Sequence, residues 1–78
     1  MIRVRLFAAL RELAGSAQLE GSGRTVGELV DELSGRYGER FAAIADVSSY
    51  VVNGERGSRA TVVADGDEVA VLPPVSGG

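Results

Sequence analysis

The chain opens on a strict alternation of apolar and charged positions. Across residues 2–8, Ile2, Val4 and Leu6 fall on one side and Arg3 and Arg5 on the other, the period-two pattern of a half-buried strand. Ala9 to Ala14 then reads as a short helical turn ended by Gly15. Residues 17–20 alternate again, predicting a second strand with Ala17 and Leu19 inward and Gln18 and Glu20 outward, and Gly21-Ser22-Gly23 closes it as a turn. The period next changes from two to three and four. Val26, Leu29, Val30, Leu33 and Tyr37 define one apolar helix face. Thr25 and Glu28 stand at capping-box spacing before it, and Gly38 stands where a helix stops. Gly35 weakens this helix by about 1 kcal/mol against Ala and offers an earlier end. Glu39 to Ala45 predicts a shorter helical piece with Phe41 and Ile44 inward.

The last third returns to strand patterns. Tyr50-Val51-Val52 is closed by Asn53-Gly54, the pair that type I′ hairpin turns demand. A loop through Arg56-Gly57-Ser58-Arg59 leads to Ala60–Val63, read as extended. Asp65-Gly66-Asp67 turns the chain into Glu68–Leu72, whose near-continuous apolar run predicts a strand covered on both faces. The order strand, strand, helix, strand, strand, strand predicts an α+β domain: a mixed sheet of roughly four to five strands packed on one main helix. Residues 1–72 form its body and residues 73–78 an extended tail.

Composition narrows what such a domain can do. At 78 residues there is room for one domain, and a hydrophobic fraction of 45% suffices for a globule. The net charge is −3, which disfavours binding to a phosphate backbone. Cys and His are both absent, so disulfides, thiol chemistry, zinc sites of the usual kind and imidazole acid–base catalysis are not available. All eight basic residues are Arg, which rules out chains of the protein linked through its own lysines. Residues 1–14 lack a signal-peptide h-region, and no apolar run approaches the length of a membrane span. The expectation is a cytoplasmic protein with no metal, membrane or nucleic-acid partner.

Few side-chain groupings suggest chemistry. Asp65-Gly66-Asp67-Glu68 concentrates carboxylates but is followed by Val69-Ala70-Val71-Leu72, not by further calcium-loop ligands, and reads as a turn. The glycine clusters at 21–23 and 54–57 lack the Lys-Ser/Thr of a phosphate loop. Arg3, Arg5 and Arg11 either gather as a basic patch or solvate a surface. Phe7, Leu72, Pro73 and Val75 form an apolar stripe beside the tail, with Phe7 equally readable as core. Chemistry therefore falls to the terminus. Pro73 and Pro74 fix φ near −65° and favour an extended path, and residues 73–78 can reach about 20 Å. Ser76-Gly77-Gly78 is slim enough to thread a narrow channel, and the Gly78 carboxylate has no side chain crowding it.

The segment Asp65–Gly78, with its Leu-Pro-Pro-Val-Ser-Gly-Gly ending, closely resembles the C-terminal signature of the small subunit of molybdopterin synthase, a ubiquitin-like sulfur carrier. Phe7-Ala8 with Arg11-Glu12-Leu13-Ala14-Gly15, and Val52-Asn53-Gly54, are similar to the same family, while Glu55–Ala60 is its least family-like stretch. The resemblance implies a β-grasp fold whose first and last strands are central parallel neighbours. It also implies that an ATP-dependent, E1-like adenylating enzyme activates Gly78 and a persulfide sulfur donor protein converts it to a thiocarboxylate. The loaded tail, threading through Ser76 and Gly77, then delivers sulfur to cyclic pyranopterin monophosphate inside the catalytic large subunit. Phe7, Leu72, Pro73, Pro74 and Val75 are the expected docking residues, no cofactor is held by the chain itself, and the assembly is a heterotetramer. A sulfur carrier for thiamin or cysteine biosynthesis, a ubiquitin-like protein modifier and an interaction module with an inert tail are the competing readings.

Overall fold

In the computed structural model, which describes residues 1–74, eight elements follow one another. They are β1 (Ile2–Leu6), α1 (Ala8–Ala14), β2 (Gln18–Gly21), α2 (Val26–Tyr37), α3 (Glu39–Asp46), β3 (Ser49–Val52), β4 (Glu55–Gly57) and β5 (Glu68–Leu72). The strands form one five-stranded sheet in the order β2-β1-β5-β3-β4. β1 and β5 run parallel at its centre, and every other neighbouring pair is antiparallel. This is the β-grasp arrangement.

The alternation in β1 becomes a register. Ile2, Val4 and Leu6 are buried, and so are Val69 and Val71 of β5 and Tyr50 of β3. Against them lie Val26, Leu29, Val30 and Leu33 of α2 with Phe41 and Ala45 of α3. Each Ile, Val, Leu or Phe among them, fully withdrawn from water, stabilises the fold by roughly 1.5–3 kcal/mol. Tyr50 keeps its hydroxyl satisfied in this core by donating to the Ala45 carbonyl at 2.5 Å.

α2 starts where its capping box predicts. The Thr25 hydroxyl accepts from the Glu28 N–H at 3.1 Å, and the Glu28 carboxylate reaches back to accept from the Arg24 N–H at 3.0 Å. The helix passes through Gly35 without breaking and ends at Tyr37, because its buried face carries it past one weak residue. Gly38, at φ +100°, donates its N–H to the Ser34 carbonyl and turns the chain into α3.

Four expectations are corrected. The first strand stops at Leu6 and not at residue 8, since Ala8 has already entered α1. Ala17 is exposed, not inward; it precedes β2 and its carbonyl accepts from the Leu6 N–H. Ala60–Val63 is no strand and makes a single bridge, Thr25 to Val62. Its neighbourhood caps α2 instead: the Thr61 and Arg59 carbonyls accept from the Val26 and Gly27 N–H groups, two of the donors that a helix start leaves without partners. The fourth ladder strand is Glu55–Gly57, read from sequence as loop. Asn53 and Gly54 both take positive φ, at 50° and 83°, and fold this segment directly back onto β3.

Candidate functional site

Parallel pairing of β1 and β5 brings their C-terminal ends to the same edge of the domain, so the residues that follow each strand emerge together. Phe7 follows Leu6, which is in register with Val71. Leu72 is paired with Ser49, the first residue of β3. Pro73 has no N–H to donate, so the ladder ends there and the chain must leave the sheet. Leu72 and Pro73 are half-buried and Pro74 is exposed. Val75, Ser76, Gly77 and Gly78, expected to dock, thread and carry the reactive carboxylate, lie outside the described residues.

Phe7 is half-buried and stands outside the buried core. Its extended backbone, φ −130° and ψ 154°, continues the β1 alternation and sets its ring on the same side as Arg5. The Arg5 guanidinium carbon is 5.9 Å from the ring centroid, within cation–π range. Immediately after, Ala8 adopts φ +52°, an uncommon conformation for a residue with a Cβ. The backbone at the tail exit is therefore held in a sharp turn.

The sheet has one core face and one open face. The run Val69–Leu72 is not covered on both sides: Val69 and Val71 are buried, while Glu68, Ala70 and Leu72 are half-buried on the opposite face. The reason is that the helical layer packs on one side only. On the open side the registers place Gln18, Arg5, Ala70, Val51 and Arg56 in one row across all five strands. The next row away from the tail holds Glu20, Arg3 and Glu68. Arg3 and Arg5 thus share this face. Arg11 does not join them: it is exposed on α1, which packs beside α3.

Sequence reasoning missed four residues of this region. Val51 and Ala70 form its apolar middle; parity within Glu68–Leu72, set against the alternation of β1, was the signal for Ala70. Arg56 was hidden because β4 was read as loop. Val47, which is 66% exposed, lies two residues before Ser49 and so beside the tail exit; an isolated apolar residue after a helix carries no signal in sequence.

Titration behaviour is perturbed elsewhere. Its bond from Arg36 holds the Glu32 carboxyl below the usual carboxylate range, and the Asp31 carboxylate raises Arg59. Asp67 is lowered by the Asn53 amide at 3.1 Å and by the Ala64 N–H at 2.9 Å. These are structural bonds of helices and turns. Among the described residues, no cluster of three or more His, Cys, Asp or Glu is placed to hold a metal ion, and no helix is long and apolar enough to cross a membrane. What the tail exit offers is apolar surface and guanidinium groups, which bind and orient.

Comparison with known proteins decides the family, since the ThiS family matches residues 4–78. The chain belongs to the ThiS family. The match of this ThiS-family protein runs from β1 through the tail residues to Gly78. It is 39% identical over 83 residues to the molybdopterin synthase sulfur carrier subunit of Arabidopsis thaliana, covering 99% of this chain and 82% of that protein. The solution structure of small archaeal modifier protein 1 from Methanosarcina acetivorans superposes with a TM-score of 0.85 at 31% identity, covering 99% of this chain and 95% of that one. CysO in the BexX/CysO complex of Amycolatopsis orientalis gives a TM-score of 0.83 at 28% identity over the full length of both chains.

Proposed function

We propose that this ThiS-family protein is the sulfur-carrier small subunit of molybdopterin synthase. One observation carries the reading: β5, pinned at the sheet centre between β1 and β3, runs into Pro73-Pro74 beside an open sheet face with an apolar strip of Val51, Ala70 and Leu72. A rigid body thereby aims a slim terminus, and the adjoining face gives a partner something to grip.

The chemistry follows from the terminus. A carboxylate is a poor electrophile because its leaving group is poor. The Gly78 carboxylate oxygen attacks the α-phosphorus of ATP on an E1-like adenylating enzyme, releasing pyrophosphate and leaving an acyl-adenylate. The terminal sulfur of a persulfide donor protein then attacks the carbonyl carbon. The C–O bond breaks and AMP leaves. A thiol cleaves the remaining S–S bond to release the thiocarboxylate. In the catalytic large subunit this sulfur attacks a side-chain carbon of cyclic pyranopterin monophosphate, whose C–O bond breaks as the C–S bond forms; water hydrolyses the resulting thioester to regenerate the carboxylate, and a second loaded carrier supplies the second sulfur of the dithiolene. Without His or Lys, this chain positions the reactive atom and leaves proton transfer and pterin binding to its partners. Ser76 and Gly77 give the tail its slimness. Phe7, Leu72, Pro73, Pro74 and Val75 dock it. The carrier holds no cofactor, works in the cytoplasm where ATP and persulfide donors coexist, and assembles as two small and two large subunits.

The likeness to a small archaeal modifier and to CysO supports a second reading, in which the same activated terminus serves a different acceptor, a protein amine or another biosynthetic pathway such as that of thiamin or cysteine. Reconstitution separates the two. Carrier incubated with ATP, activating enzyme and sulfur donor should gain the mass of one sulfur in exchange for one oxygen. With the large subunit and cyclic pyranopterin monophosphate it should then yield molybdopterin. Loading without molybdopterin formation, or adenylation followed by conjugation to a protein amine, would move the protein to the second reading, and failure to be adenylated at all would refute both.

A further inference from the structure

We infer that the open face of the sheet is keyed by charge: Arg5 and Arg56 flank an apolar strip of Val51, Ala70 and Leu72 and select a partner surface with an apolar ridge between two carboxylates. The inference rests on the carrier reading and names the catalytic large subunit as the occupant.

The rows across the face distinguish these two cations from Arg3, the third on this face. Arg3 lies between Glu20 and Glu68 on its two neighbouring strands, so its charge is answered across the sheet. Away from this face, Arg36 and Arg59 are ion-paired, with Glu32 and with Asp31 and Asp46. Arg5 sits between Gln18 and Ala70, and Arg56 sits opposite Val51 on the edge strand. Among the described residues neither has an ion-pair partner. What sets them apart on this face is their neighbours: Arg3 has a carboxylate residue opposite it on each side, and Arg5 and Arg56 have none.

Their spacing is set by the ladder. β1 to β4 is three strand steps, which at about 4.8 Å each separates the two Cα atoms by about 14 Å. Between them lie Ala70 and Val51, with Leu72 one row nearer the tail. The Phe7 ring holds the Arg5 guanidinium toward the tail exit. In the free protein both heads are hydrated at no cost. When the face is covered they lose water, and only a partner that supplies carboxylates at that spacing replaces it. A merely apolar partner surface is rejected, while an acidic-rimmed one is steered into register before the tail enters.

The test measures association of the full-length carrier with the molybdopterin synthase large subunit by stopped flow across a range of salt concentrations. Arg5→Gln and Arg56→Gln, singly and together, are compared with Arg40→Gln on exposed α3, and thermal unfolding is followed for each. Wild-type association should slow tenfold or more from low to high salt, as steered encounters do. The double Gln variant should associate at least tenfold more slowly at low salt, lose most of that salt dependence and keep its unfolding temperature, while Arg40→Gln stays like wild type. If wild type binds but is insensitive to salt, and the double variant binds as wild type does, the charge key is wrong while the carrier reading stands. If wild type does not bind the large subunit at all, both fall.

Discussion

Truncating Phe7 to Ala separates a docking residue from a core residue, because the two roles predict opposite ratios of stability loss to binding loss. A fully buried Phe costs about 3–5 kcal/mol when cut to Ala. Phe7 is only half-buried and stands outside the core, so roughly half that penalty applies, about 1.5–2.5 kcal/mol. In a domain of this size each kcal/mol moves the unfolding temperature by about 4–8 °C, so the expected drop is on the order of 10 °C. An aromatic anchor at the centre of an interface is worth about 2 kcal/mol or more on truncation, which corresponds to roughly 30-fold in affinity. Leu33→Ala is the comparator: Leu33 is fully buried on α2, far from the open face. It should cost 2–5 kcal/mol of stability and leave the affinity of the remaining folded protein unchanged. Thermal denaturation and calorimetric titration with the large subunit, run below both unfolding transitions, read the two quantities. If Phe7→Ala unfolds as readily as Leu33→Ala yet binds like wild type, Phe7 is core and the docking role assigned to it is wrong.

Two further outcomes are expected. Gly77→Val should leave thermal unfolding unchanged while abolishing adenylation or sulfur transfer, read by intact mass, since a branched side chain one residue from the reactive carbon obstructs a narrow channel; normal loading and transfer would refute the threading role. Asp67 has its carboxyl lowered by the Asn53 amide and the Ala64 N–H, so it stabilises the fold above the ordinary carboxylate range and that contribution is lost as pH falls through the lowered folded value. Asp67→Asn should flatten the acid limb of a plot of unfolding temperature against pH, and an unchanged limb would show that these bonds carry no net stability.

How much of this was readable in advance depended on how local the cause was. The capping box of Thr25 and Glu28, the stop at Gly38 and the alternation of β1 are set by residues within a turn or a strand of one another, and each was legible. Glu55-Arg56-Gly57 has no apolar residue to mark it, and its strand exists because the turn at Asn53-Gly54 presents its backbone to β3. Ala60–Val63 has the composition of a strand, yet the carbonyls around it go to the start of α2. Neither outcome is written in periodicity. The parallel pairing of β1 with β5 joins residues more than sixty positions apart, and only the likeness to a known family anticipated it.

The same distance from local cause explains why the open face was missed. Four consecutive apolar residues, Val69 to Leu72, imply burial on both sides only if something covers both sides. Here the helices cover one, and Ala70 and Leu72 are left as surface. That asymmetry divides labour within a small domain. The buried set that stabilises the fold lies on the helix side of the sheet or within the helices, while Val51, Ala70 and Leu72 sit across the sheet from it. Residues on the open face can therefore change with the partner at little cost to folding. A carrier, a modifier and a pathway-specific donor need share only the core-facing half of each strand and the terminus that β5 delivers. It follows that exchanging the open-face residues Arg5, Val51, Ala70 and Arg56 for those of a relative with a different partner should redirect binding while leaving thermal unfolding nearly unmoved.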